Sequence, residues 1–342
     1  MTEDSSTNSH LSVAMTTTGM TATAGGNTVP SSSSRGAEFY FQCIGLVIGV
    51  VGTATNAVIL YALVASKQHK KLLLIVHQNV LDIFSTFFII IVYSLKLRNI
   101  YLTGSIGYWL CTLLFSESLI WWGTKASVIN LAIITFDRYL KVVHAVWSRN
   151  NLRSWMIYLS MAFAWIVSFL SNVAVVFPTS AVIDGACYGY LTWGNQTIRI
   201  AYNIGNIVFY YFLIILIFIV CYWRILIVLR RQARVLASHG SEQPSTAQAN
   251  SDKIQRNITK TMIYVSALYA ISWLPIYIFF LNANLNPTFY LNYTGFYYAS
   301  MFTTFLYMCT NPFIYAMKFD PVKKVLLPLI PCRTSEYVTG TG

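Results

Sequence analysis

Residues 109–153 read WLCTLLFSESLIWWGTKASVINLAIITFDRYLKVVHAVWSRNNLR. The run is mostly apolar until Asp137-Arg138-Tyr139, and a basic segment follows. About 20 apolar residues rising 1.5 Å each cross the ~30 Å hydrocarbon core of a bilayer, so the run is long enough to span one. A charge pair where such a helix leaves the lipid has a bland reading as a snorkelling boundary. Two other apolar segments carry their own punctuation, Trp273-Leu274-Pro275 and Asn311-Pro312-Phe313-Ile314-Tyr315. Pro275 and Pro312 each remove a backbone hydrogen bond inside a span and make a bendable point. Bends in two neighbouring helices serve a switch rather than a static anchor.

Composition agrees. The chain has 342 residues, 56% hydrophobic and 10% charged, with a mean hydropathy of +0.56. Soluble domains carry about 25% charged residues. The net charge of +12 is spread between apolar spans rather than gathered in a patch, which reads as membrane topology and not as a nucleic-acid partner. Six cysteines are no disulfide scaffold in a chain this long. Cys43, Cys221 and Cys309 fall within apolar spans and read as packing residues.

Seven spans are expected, at 39–65, 72–95, 109–140, 154–177, 203–229, 258–282 and 294–317. The predicted fold is an all-α membrane protein, a seven-transmembrane helix bundle (39–317). Residues 1–38 form a Ser/Thr-rich extracellular tail, too polar to fold; no cleaved signal peptide is visible in it. Residues 318–342 form a cytoplasmic tail that opens with a short amphipathic helix, Phe319–Leu327, bearing Lys323 and Lys324. Cys332 follows as a palmitoylation candidate. Segments 66–71, 138–153, 224–260 and 318–342 hold eighteen Lys/Arg, and the opposite side holds four. Positive residues stay inside, so the N-terminus is expected outside. Asn195-Gln196-Thr197 and Asn292-Tyr293-Thr294 are glycosylation acceptors on that outer side.

Ionisable or amide side chains in lipid are functional candidates by default. Asn56, Asp82, Ser127 and Asn311 each lie midway along a span. If they converge, they make a pocket of oxygens suited to water or a sodium ion, against the plainer reading of interhelical hydrogen bonds. Glu117 and Lys125 share the third span but sit on different faces, so they are not expected to pair. Glu117 is assigned to ligand and Lys125 to structure.

On these residues the chain resembles a rhodopsin-like (class A) G-protein-coupled receptor over about residues 39–332. The resemblance is carried by Asn56; Asn79 and Asp82; Cys111 and Asp137-Arg138-Tyr139; Trp165; Cys187; Tyr222; Trp273-x-Pro275; and Asn311-Pro312-x-x-Tyr315. It implies a disulfide between Cys111 and Cys187, and a sodium site at Asp82, Ser127 and Asn311. It also implies a G-protein switch in which Asp137 holds Arg138 at rest and Tyr222 and Tyr315 swing toward it. Trp273 would couple ligand to the movement of span six. Implied partners are a heterotrimeric G-protein, arrestin and receptor kinases, at the plasma membrane. No catalytic set is present, so no enzyme is expected.

Four departures matter. Cys111 lies twenty-seven residues before Arg138, where the family has twenty-five, which predicts a bulge in the upper third span. Ile214 stands where span five has a proline. Gln255, with Thr259 one turn further on, stands where many members place an acid against Arg138. Tyr307 replaces a small polar residue near the sodium site.

The expected ligand pocket is Tyr93, Glu117, Ile120, Thr124, Trp273, Tyr277, Met301 and Phe305. Phe305 occupies the place of an opsin's lysine and Ile120 that of an amine receptor's aspartate. An aromatic pocket with one acid favours an amphiphilic or basic peptide. A lipid or other small molecule, or a constitutively active receptor without ligand, are the alternatives. A transporter or channel is disfavoured because no internal repeat is visible.

Overall fold

The computed structural model describes residues 32–67, 72–190, 192–238, 246–286 and 293–318, with Val322 and Val325. Lipid offers the backbone no hydrogen-bonding partner, so long apolar runs close their bonds internally as helices. The first two spans are α1 (Ser32–Ala65) and α2 (Leu73–Lys96). The third is α3 (Gly104–Leu110), a π turn at Cys111–Phe115, then α4 (Ser118–Val143). A short α5 (Ala145–Asn151) leads to the fourth span, α6 (Ser154–Leu170) with α7 (Val173–Thr179). The fifth is α8 (Gln196–Ile207), a π turn at Val208–Leu213 and α9 (Ile214–Ser238). The sixth is α10 (Thr246–Leu285) and the seventh α11 (Thr294–Lys318), with Pro275 and Pro312 inside them.

Between the fourth and fifth spans, β1 (Ala181–Ile183) pairs antiparallel with β2 (Ala186–Tyr188), and Val182 faces Cys187. The two-residue loop is Asp184-Gly185, with both φ angles positive at 49° and 76°. That is the backbone a tight hairpin demands, and Asp-Gly supplies it cheaply.

Six of the described helical spans are long and apolar enough to cross a membrane. The seventh has the length, 25 residues, but carries Thr303, Thr304, Thr310 and Asn311. The chain is a seven-helix membrane bundle. α1 packs on α2 and α11, α2 on α4, α4 on α6 and α9, and α10 on α11. Gly123 lets α4 approach α2, since a Cβ there would stand 2.6 Å from the Phe84 ring. Ile166, Leu216, Ile219 and Trp223 are exposed, the apolar surface that lipid covers.

One expectation changes and two take definite form. The first helix begins at Ser32, so Ser32–Glu38 is helical rather than part of a disordered tail. The bulge in the third span is present, as the π turn followed by a break at Ser116–Glu117; a wider turn and a break absorb the two extra residues. Without a proline, span five carries its irregularity as the π turn that ends just before Ile214. The amphipathic segment after the seventh span is described at Val322 and Val325 alone; both are helical, and Val322 is fully buried. Lys323, Lys324, Cys332 and Asn292 lie outside the described residues.

Candidate functional site

The disulfide Cys111–Cys187 ties the π turn of span three to β2, with Cα atoms 5.2 Å apart. Just past it Glu117 has φ +61°, a left-handed backbone that residues with a Cβ rarely adopt. From there its carboxylate meets span two. Oε1 accepts from Lys96 Nζ at 2.6 Å and from Tyr93 Oη at 3.1 Å. Glu117 is 1% exposed and Lys96 3%. Glu117 is therefore not an open ligand contact. Lys96, expected in a connecting loop, is the last residue of α2 and finds its counter-charge here.

A cavity of about 150 Å³ lies among spans three, five and six, beneath the segment that joins spans four and five. Trp121, Trp273, Tyr277 and Phe280 form aromatic walls, and Tyr190 and Trp193 come from the joining segment. Asn172, Asn203, Asn206 and Asn284 add amides, and Lys125 and Arg199 add positive charge. Trp273 and Tyr277 thus stand where a ligand contact was expected. Tyr93, Glu117, Ile120, Thr124, Met301 and Phe305 do not line this cavity, and all are buried. Rings fill that volume instead: Tyr93 meets Phe41 at 5.7 Å and Phe305 at 6.1 Å between centroids. The open space shifts toward spans five and six, and Lys125 becomes part of its wall. Lys125 Nζ donates to Asn206 Oδ1 at 2.7 Å and to the Ser171 carbonyl at 3.3 Å.

At mid-depth the polar side chains do converge. Asp82 accepts from Ser127 Oγ at 2.7 Å and from Asn311 Nδ2 at 2.9 Å. The network runs further than expected, because Gln78 Nε2 donates to Ser127 and Asn130 Nδ2 donates to Gln78 Oε1 at 2.7 Å. Asn130 Oδ1 lies 3.0 Å from His77 Nδ1, and Trp165 Nε1 donates to His77 Nε2 at 3.0 Å. Since Nε2 accepts from the indole, the imidazole proton belongs on Nδ1, where Asn130 Oδ1 takes it. One buried chain of hydrogen bonds therefore links spans two, three, four and seven. Asn56 stands apart from it, donating to the carbonyls of Gly52 at 2.9 Å and Met308 at 3.1 Å.

At the other end Arg138 Nη2 lies 3.5 Å from Asp137 Oδ2, while Lys141 Nζ approaches Asp137 Oδ1 at 2.8 Å. All three line a second cavity of about 550 Å³. Tyr222 Oη bonds Thr135 Oγ1 at 2.9 Å and Ser266 Oγ at 3.1 Å, joining spans five, three and six. Tyr139 Oη meets His144 Nε2 at 3.2 Å. Thr259 is buried; the side chains of Gln255 and Tyr315 lie outside the described residues.

Comparison with known proteins decides the family. Residues 55–315 match the family described as 7 transmembrane receptor (rhodopsin family). The chain belongs to the rhodopsin family of seven-transmembrane receptors. The galanin receptor type 1 of Rattus norvegicus is 24% identical to this receptor over 302 residues, 84% of this chain and 81% of the relative. The substance-P receptor of Mus musculus is 28% identical over 200 residues, 56% of this chain and 46% of the relative. The muscarinic acetylcholine receptor M1 of Macaca mulatta is 28% identical over 224 residues, 63% and 47% respectively. For the last two the matched stretch spans about half the relative's length.

The family places this receptor among multi-pass membrane proteins that are not enzymes. His77, Gln78 and Asn130, then Lys96 as the partner of Glu117, and the cavity residues Trp121, Asn206 and Phe280, are among the receptor's site residues that its sequence did not single out. For the first three a signal existed: polar side chains spaced one apart and one turn apart inside apolar spans. For Lys96 none did, since a lysine at a span's end reads as a boundary residue.

Proposed function

We propose that this chain is a plasma-membrane receptor with an outside N-terminus that binds a peptide and activates heterotrimeric G-proteins through Asp137-Arg138-Tyr139. The observation that carries the reading is the arrangement of two ends in one bundle. An aromatic cavity among spans three, five and six reaches Trp273, two residues before Pro275, and span three runs on from that cavity to Arg138, which lines a separate cavity with residues of spans one, two and four. Ligand contacts at Trp273 that favour a different setting of span six shift the bundle by as much as their difference in affinity for the two states. The relatives named for substance P and galanin support a peptide. Arrestin and receptor kinases are the expected later partners, and Asn195, exposed and capping α8, is a fitting glycosylation acceptor.

The mid-depth cluster fits a sodium ion. Asp82 and Ser127 offer oxygens, and buried Asn311 Oδ1 has no hydrogen-bond partner, an acceptor that a small cation satisfies. The three would hold the ion, which would supply charge neutralisation for Asp82.

The test is nucleotide exchange on a panel of G-proteins with a peptide library, at matched surface expression. Exchange that rises with a peptide and is lost in Arg138→Ala supports the reading. Exchange that survives Arg138→Ala, or none with any peptide or G-protein, removes it.

A further inference from the structure

The cavity beneath Tyr190 and Trp193 carries two cations, Lys125 and Arg199, and no carboxylate on its described wall. Lys125 is a residue of α4, within the third span. An ammonium has three N–H donors. Those of Lys125 meet two neutral acceptors, Asn206 Oδ1 at 2.7 Å and the Ser171 carbonyl at 3.3 Å. Its other neighbours are the faces of Tyr210 at 5.0 Å and Tyr202 at 5.9 Å. Glu117, an acid of the same span, is already held by Lys96 at 2.6 Å. Lys125 is half-buried among rings and amides, where an ammonium gains from an opposite charge, and none of the cavity's described lining residues is a carboxylate.

The geometry points to a ligand that brings its own anion: a carboxylate carried beside an aromatic or apolar group, which pairs with Lys125 and Arg199 in this cavity. This deepens the receptor reading and rests on it. It also reverses the sign expected from the sequence, where Glu117 was to meet a basic group. The volume limits what enters. A cavity of about 150 Å³ takes up a benzene-sized group, so one ring-sized side chain and its carboxylate go in while the rest of a peptide stays above. The tryptophan and tyrosine walls suit that ring, and the bond from Lys125 to the carboxylate is charge-assisted. The same chemistry has two sources, the acidic end or side chain of a peptide and a small aromatic acid.

The experiment uses the purified full-length receptor and reads binding by thermal shift. One arm pairs small aromatic acids, 3-phenylpropionate and indole-3-propionate, with their carboxamides. The other pairs peptides ending in Phe or Trp as the free acid with the same peptides amidated. In at least one arm the acid is expected to bind tenfold or more tightly than its amide, and that arm names the source. Lys125→Gln is expected to erase the preference and Lys125→Arg to keep it; Arg199→Gln, nearer the mouth, is expected to reduce it. Binding by no acid, equal binding of amides, or a preference that survives both neutral variants overturns the inference. Arg138-dependent nucleotide exchange is measured on the same preparation. Exchange without acid preference sinks the carboxylate alone, whereas absent exchange sinks the receptor reading.

Discussion

Glu117 and Lys96 form an ion pair at 2.6 Å with side chains only 2% and 1% exposed. The pair fastens the strained break in span three to the end of span two. Tyr93 adds its hydroxyl to the same carboxylate oxygen.

Removing one partner of such a pair leaves the other charge buried alone, at about 3–5 kcal/mol. Glu117→Gln is therefore expected to lower thermal stability and surface expression, instead of weakening agonist alone. Replacing both partners with apolar residues, Lys96→Met with Glu117→Leu, is expected to recover most of the loss. Melting curves of the two singles and the double in detergent check this. Singles that melt with wild type would show that the pair contributes little.

The Asp82 cluster predicts a salt effect. Replacing sodium chloride with choline chloride at equal ionic strength is expected to lower the melting temperature of the wild type. A ligand at tenfold over its Kd contributes about 1.4 kcal/mol. Asp82→Asn removes the charge that holds the ion, so the two salts are then expected to give the same curve. Identical curves for the wild type would leave the cluster as plain interhelical hydrogen bonding.

Much of this layout is legible in the sequence, for physical reasons. Apolar length announces the spans, because lipid tolerates no other backbone solution. The spacing from Cys111 to Arg138 announces the irregularity in span three, since two surplus residues must go somewhere. Asp82, Ser127 and Asn311 announce a cluster, because each is too polar to face lipid. The cavity is not legible. Tyr93 and Phe305 are rings that either line a space or fill it, and packing alone decides. Nor is the partner of Glu117, which depends on how a left-handed residue turns the chain after a π turn. The partners of Lys125 are not legible either, since they depend on where spans four and five sit.

The disulfide gives a third expectation. Cys111 and Cys187 are 76 residues apart in sequence, and closing so long a loop in the unfolded chain is worth up to about 4.5 kcal/mol in the chain-entropy account. Cys187→Ser is expected to lower the melting temperature and to loosen the β1–β2 hairpin over the cavity. A strong reductant is expected to reproduce the loss in the wild type and to leave Cys187→Ser unchanged. If the reductant affects both alike, the stabilisation comes from elsewhere.

The last expectation concerns Asp137, whose carboxylate is shared. Lys141 approaches it at 2.8 Å and Arg138 at 3.5 Å, so the grip on Arg138 is the looser of the two. Lys141 is about one-third exposed, and water screens its attraction to a value near 0.5–1 kcal/mol. Lys141→Met is expected to return the carboxylate to Arg138 and favour the resting bundle by about that amount. Since about 1.4 kcal/mol is tenfold in a two-state ratio, nucleotide exchange without agonist is expected to fall by roughly two- to fivefold. Gln255→Glu, which adds an acid near the foot of span six, is expected to act in the same direction. Asp137→Asn is expected to raise exchange, and Arg138→Ala to abolish it. Basal exchange at matched surface expression reads all four. If Lys141→Met raises exchange, or if Asp137→Asn lowers it, Asp137 does not hold Arg138 at rest, and the resting state is set by the contacts of Tyr222 with Thr135 and Ser266.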